Sequence, residues 1–246
     1  MYNPVQKGID RSARAVRYTE TKPPEDLSEY VHRFWEIKTE AKLSDDFIFH
    51  ILPDACIHIV FNLAAPGAAG ITALRTSAEE LNLGQSFHFV GIRLLPGVWQ
   101  GHQEELVQGV IDAPYPGPLP LIEAGGELAA GDTAAVQSVL SKLVRRLIKD
   151  DLLAIDEVTT HLLANIDEID SVSDMANAVG MSPRQLQRVL KQTTGFSPHD
   201  LLKILRLQKS FVRDYLEFYA DQSHYIHSFR KIAGYTPKNY ARKFDV

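Results

Sequence analysis

The chain has one cysteine, Cys56, with three methionines and two tryptophans among its 246 residues. A single thiol excludes a disulfide within the chain and any cysteine-cluster metal site. No apolar run approaches the roughly 18 residues that a membrane span needs. The first residues, MYNPVQKGIDRSARAVRY, lack the apolar stretch of a signal peptide, so a cytoplasmic location is expected. Also missing are a P-loop, a dinucleotide-binding glycine fingerprint and any nucleophile–base arrangement. HQEE at His102–Glu105 is not a zincin motif, because Leu106 stands where the second histidine belongs. These absences predict neither an enzyme nor a cofactor. What is present is 45% hydrophobic and 23% charged residues, too apolar for disorder and long enough for one or two domains.

The net charge of −5 conceals two opposed parts. From Met1 to Gly180, 14 Lys and Arg stand against 26 Asp and Glu, a balance of −12; from Met181 to Val246, 12 stand against 5, a balance of +7. A basic end on an acidic body suggests contact with a polyanion, where each Lys or Arg set against a phosphate releases condensed counterions.

Residues from about Tyr18 to Pro120 read as β. Short β-branched or aromatic runs, Val31–Ile37, Phe47–Leu52, Ile57–Leu63, Ile71–Leu74 and Phe87–Leu95, alternate with turn signals such as Pro53-Asp54 and Pro96-Gly97. The spacing predicts a barrel or sandwich. Four prolines between Ala113 and Pro120 mark a connector. Beyond it, Val136, Leu140, Leu143 and Leu147 recur at helical spacing, giving a stripe that either covers the barrel or forms a homodimer. The expected organisation is α+β: a β-rich domain over 1–120, a connecting helix region over 121–152 and an all-α domain over 153–246.

Ser171–Leu190, SVSDMANAVGMSPRQLQRVL, carries two capping signals, Ser171 with Asp174 and Ser182 with Gln185, around Gly180. Two short helices meeting at a glycine form a helix-turn-helix. The second helix presents Arg184, Gln187 and Arg188 to the base edges of the major groove, with Ser182, Lys191, Lys203 and Arg206 placed for phosphates. Shifted by 39 residues, the pattern returns: Gly195-Phe-Ser-Pro198 falls on Gly234-Tyr-Thr-Pro237. An internal repeat of this kind implies a second DNA-reading unit, with Ser223, His224 and His227 toward bases and Arg230, Lys231 and Lys238 toward phosphates.

These residues resemble the DNA-binding domain of the AraC/XylS family of bacterial transcription regulators: Ala176…Gly180-Met-Ser182-x-Arg184-x-Leu186-x-Arg188, Gly195-x-Ser-Pro198, Leu205-Arg206-Leu207, and in the second half Asp221–Tyr225, Phe229-Arg230 and Gly234-x-Thr-Pro237. The resemblance implies sequence-specific binding of double-stranded DNA. Two departures stand out. Only QKSFVRDYLEFYA separates Leu207 from Asp221, so the second unit is shortened, and Leu201–Tyr219 could run on as one helix; His227 stands where the family often has Arg. The N-terminal part, through Pro53–Cys56, Val60–Asn62 and Phe89–Arg93, resembles the unassigned sensor-type domain of some AraC-like proteins, which implies a cupin-like barrel.

In that barrel, Trp35, Phe49, Phe61, Arg93 and Trp99 could line an effector pocket of apolar walls with one cation, or could simply fill the core. Arg93, between Ile92 and Leu94, needs an exposed face or an anionic partner. His50, His58, His88 and His102 lack the close pairing of a cupin metal site, and no metal is expected. The alternatives to a DNA-binding regulator are a cupin-like metal or small-molecule binder or enzyme, and a modulator whose degenerate second unit has lost DNA.

Overall fold

Strands occupy the first part of the chain. The computed structural model describes residues 2–5, 8–131 and 133–245. Its strands are β1 (Ile9–Asp10), β2 (Val16–Thr21), β3 (Val31–Thr39), β4 (Ile48–Ile51), β5 (His58–Asn62), β6 (Ala69–Thr72), β7 (Glu79–Asn82), β8 (His88–Leu94) and β9 (Leu106–Val107). Six form one sheet in the order β2-β3-β8-β5-β6-β9, antiparallel except for the last pair. β4 and β7 pair only with each other, Ile48 opposite Asn82 and Ile51 opposite Glu79, as a ribbon. The expected barrel is not closed: it is an open sheet faced by a separate ribbon, because neither ribbon strand bonds to the sheet.

Strand alternation sorts the side chains. Ile59, Phe61, Val90 and Ile92 turn to one face, where they pack with two helices, α1 (Leu121–Ala130) and α2 (Thr133–Lys149). Ile37, Val60 and Phe89 turn to the other face, toward Phe47 and Phe49 of the ribbon side. The stripe on α2 covers the sheet: Leu140, Leu143, Val144 and Leu147 are buried in the first cluster. Truncating Leu147, which is fully buried, would cost about 2–5 kcal/mol.

The rest is helical: α3 (Glu157–Ala164), α4 (Val172–Ala178), α5 (Pro183–Thr193), α6 (Pro198–Lys209), α7 (Gln222–Ala233) and α8 (Pro237–Lys243), followed by a last strand, β10 (Phe244–Asp245), that pairs with β1. α6 is buried on most of its surface, with Leu201, Leu202, Ile204, Leu205 and Leu207 all inside, as expected of a central helix. It ends at Ser210, so Leu201–Tyr219 is not one continuous helix: a single 3-10 turn at Tyr215–Glu217 follows, capped by Asp214. Among the described residues no helix is long and apolar enough to cross a membrane.

Candidate nucleic-acid interface

The Ser171 hydroxyl accepts from Asp174 N at 3.1 Å and starts α4. Gly180, at φ 62°, turns the chain, a backbone conformation that glycine adopts without strain. Ser182 then opens α5 with a reciprocal box: its hydroxyl accepts from Gln185 N, and Ser182 N donates to Gln185 Oε1 at 2.9 Å. Met175, Ala176, Leu186 and Leu190 share one buried cluster, and Ala176 keeps the two helices close. With Leu186 and Leu190 inward, helical spacing turns Arg184, Gln187 and Arg188 outward, and all three are exposed. They sit on the first two turns of α5, where a groove-entering helix meets bases.

The residues assigned to phosphates divide. Ser182, Lys191, Arg230, Lys231 and Lys238 are exposed, whereas Lys203 and Arg206 are half-buried. Lys191 Nζ donates to Gly195 O at 2.8 Å, and Lys203 Nζ lies 3.8 Å from Asp200 Oδ1. Arg206 donates through Nη2 to the carbonyl of Asp170, tying α6 to the start of α4. Arg206 thus has a structural bond that a phosphate would have to replace.

The repeat is visible in the helices. Ser182 caps α5 and Asp221 caps α7; Gly195 at φ 73° and Gly234 at φ 76° follow them; Ser197 and Thr236 then cap α6 and α8, each with proline at the first turn. All these pairs are 39 residues apart. The same shift places α4 on residues 211–217, where there is only the 3-10 turn. On α7, Ser223, His224 and His227 are exposed, and the His224 ring meets Tyr219 edge-on at 5.4 Å.

The sheet domain packs against this shortened unit. Leu52 and Ala78 pack with Tyr219, Tyr225, Phe229 and Ile232. Ala78 N donates to Ile232 O at 2.7 Å, and the Tyr235 hydroxyl donates to Glu80 Oε1 at 3.0 Å. Strand β1 pairs with β10, and Arg11 Nε donates to Phe244 O at 3.0 Å.

Residues 162–203, from α3 into α6, match the bacterial regulatory helix-turn-helix proteins of the AraC family. The match ends within α6, so the repeated helices α7 and α8 lie outside it. Residues 19–103 match a domain of unknown function, DUF6597. Two solved structures of ToxT, from Vibrio cholerae and from Vibrio cholerae O395, are similar at 10% and 11% identity. They cover 92% of this chain and 96% and 97% of their own, with a TM-score of 0.36 in each case. No curated protein sequence matches the chain.

Ahead of the AraC-type region, the five aromatic and cationic candidates are not brought together. Trp35 and Phe49 line a slot between the sheet and the ribbon. Phe61 points to the helix-covered face, because it is one residue out of step with Val60. Trp99 lines a cleft shared with Thr193–Gly195 at the end of α5. Arg93 is completely buried and finds one anionic partner at the surface and one inside: Nη2 donates to Oε1 of exposed Glu20 at 2.9 Å and to Tyr18 Oη at 3.1 Å, and Nε lies 3.5 Å from Oδ2 of buried Asp54. Burial alone would lower its pKa, but Tyr18, Asp54 and Glu20 around it raise it. Burial likewise opposes the charge on Asp54, yet His58 and Arg93 hold its carboxyl below the usual range.

The histidines are dispersed on separate partners: His50 on Ala233 O, His58 on Asp54 and His88 on Glu36. Among the described residues no three potential ligands converge on a metal. Sequence reasoning passed over Arg75, which lines the slot and donates to Glu79. The only signal was a lone cation just after an apolar run.

Proposed function

We propose that the protein is a cytoplasmic, sequence-specific regulator of transcription that binds double-stranded DNA and responds to a small molecule held by its sheet domain. The observation that carries this reading is α5: a capped helix in an AraC-family helix-turn-helix, with Arg184, Gln187 and Arg188 exposed on its leading turns. Arg184 and Arg188 suit guanine O6 and N7, and Gln187 suits adenine N6 and N7. From α7, Ser223, His224 and His227 read bases in a second stretch of groove. Ser182, Lys191, Lys203, Arg206, Arg230, Lys231 and Lys238 act on phosphates. The acidic sheet domain stays off the duplex through repulsion.

The test is selection of bound fragments from a random duplex pool. Enrichment of a motif spanning two half-turns about one helical repeat, roughly 34 Å, apart supports both units. A motif of one half-turn assigns reading to α5 alone, and no enrichment removes sequence-specific binding.

A further inference from the structure

The slot between the sheet and the β4–β7 ribbon is a narrow cavity of about 60 Å³, tighter than most small-molecule sites, so an occupant must push the ribbon outward. Its walls are mostly apolar, with Ile37, Phe49, Val60, Leu81 and Phe89 among them. Two donors interrupt that surface. Trp35 and Arg75 both line the slot, and Trp35 Nε1 and Arg75 Nη2 are buried without a hydrogen-bond partner among the described residues. Each forfeits a bond that it would have in water. Both groups are held in place. The Trp35 indole lies on Gly91, where an added Cβ would sit 2.3 Å from Cζ2, and Arg75 Nε donates to Glu79.

Charge decides the class of ligand. The guanidiniums of Arg75 and Arg93 are set against three carboxylates, Glu79, Asp54 and Glu20, a balance of −1. An incoming anion gains no net attraction here and loses its hydration. A neutral acceptor, such as a carbonyl oxygen, satisfies the free N–H groups without adding charge.

The ribbon then joins this slot to the repeated helices α7 and α8. Along a strand, alternate residues face opposite ways. Phe49, Ile51 and Leu81 line the slot, while their neighbours His50, Leu52 and Glu80 contact α7, α8 or the residues joining them. A shift of the ribbon by an occupant is felt on both faces at once.

We propose that the slot binds a neutral, largely apolar small molecule through a carbonyl-type acceptor on Trp35 and Arg75, and that its occupancy steadies α7 and α8 through β4–β7. The regulatory meaning of that link rests on the DNA-binding reading of α7, whereas the binding itself does not.

The test titrates the full chain calorimetrically with three probes on one frame: 4-phenylbutan-2-one, 4-phenylbutanoate and butylbenzene. The ketone should bind about tenfold more tightly than either of the others, in line with two modest hydrogen bonds. Arg75→Met should erase that preference, and Leu81→Trp, which fills the slot, should abolish binding. Amide exchange in α7 and α8 should slow on addition of the ketone while α4 and α5 stay unchanged. Absence of binding by all three probes, tighter binding of the carboxylate, or equal binding of butylbenzene overturns the site. So does a preference that survives Arg75→Met, which probes the slot if Leu81→Trp fails to fold. Unchanged exchange in α7 and α8 overturns the link. A duplex selection that enriches nothing would remove the DNA-binding reading while leaving the titration result in force.

Discussion

His50 Nε2, on β4 of the sheet domain, lies 3.1 Å from the carbonyl oxygen of Ala233, the last residue of α7. The same imidazole stacks on Phe244 at 4.8 Å and meets Tyr235 and Tyr240 edge-on, both at 5.4 Å. One side chain thus caps α7 and fills the space beside it. His50→Ala is expected to loosen the docking of α7 and α8 by about 1–3 kcal/mol, from the lost bond and the lost packing. Hydrogen exchange should quicken in α7 and α8 and stay unchanged in α4 and α5; a uniform rise would mean that the whole fold had weakened.

Separating the helical part from the sheet domain carries the same test further. A fragment of residues 153–246 retains α4 and α5 but loses Leu52, Ala78 and His50, on which Phe229, Ile232 and Phe244 rest. It should bind duplex with a strong dependence on salt, yet protect a shorter stretch than the full chain in footprinting. Equal footprints would show that α7 is held by its own domain alone.

At the first unit, Arg188→Ala should cost about 1–3 kcal/mol on the selected site and relax preference at one base position. Affinity for random duplex should change far less. An equal loss on both duplexes would reassign Arg188 to a phosphate.

Arg93 governs stability rather than recognition. Arg93→Met leaves the buried carboxylate of Asp54 without the guanidinium beside it. Loss of one partner from such a buried pair costs about 3–5 kcal/mol, which urea denaturation would read. A loss below 1 kcal/mol would show that the network contributes little.

His32 sets the acid side of stability. Its Nδ1 accepts from Arg93 Nη1 at 3.2 Å and its Nε2 bonds Asn3 Oδ1 at 2.9 Å, an arrangement only the neutral ring can satisfy. Burial, reinforced by Arg93, lowers its pKa to about 3. Between the ordinary histidine value near 6.5 and about 3, the unfolded chain binds a proton that the folded chain refuses. Stability therefore falls as pH falls through that window, by up to about 1.4 kcal/mol per pH unit for each such histidine. His50 and His58, also lowered by burial, act in the same direction. Urea midpoints between pH 6.5 and 5, above the carboxylate range, should decline in the parent and decline less in His32→Gln.

The parts legible in the sequence were those whose pattern and location coincide. The runs at Val31–Ile37 and Phe87–Leu95 became β3 and β8, because β8 is almost wholly buried and β3 buries Val31, Phe34 and Ile37. The caps at Ser171 and Ser182 and the turn at Gly180 act within a few residues, so local chemistry suffices. β7, with the sequence EELN, was missed. Only Leu81 of its four residues is buried, and its pairing with β4 supplies what propensity withholds. α1 was hidden by Gly125 and Gly126 within it. That Arg93 would need an exposed face or an anion was legible, but which anions was not, since Glu20 and Asp54 lie 73 and 39 positions away along the chain and only the fold brings them together.

The pairing of Ile9 with Asp245 has a consequence for how the molecule is made. Strands so distant along the chain close a very large loop, and such closures come late in folding. Until β10 arrives with α7 and α8, Leu52 and Ala78 have no cover, and the ribbon presents a sticky surface to chaperones and proteases. A chain ending before residue 220 would keep α4 and α5 yet leave that ribbon surface bare, and its sheet domain would be the part most exposed to proteolysis.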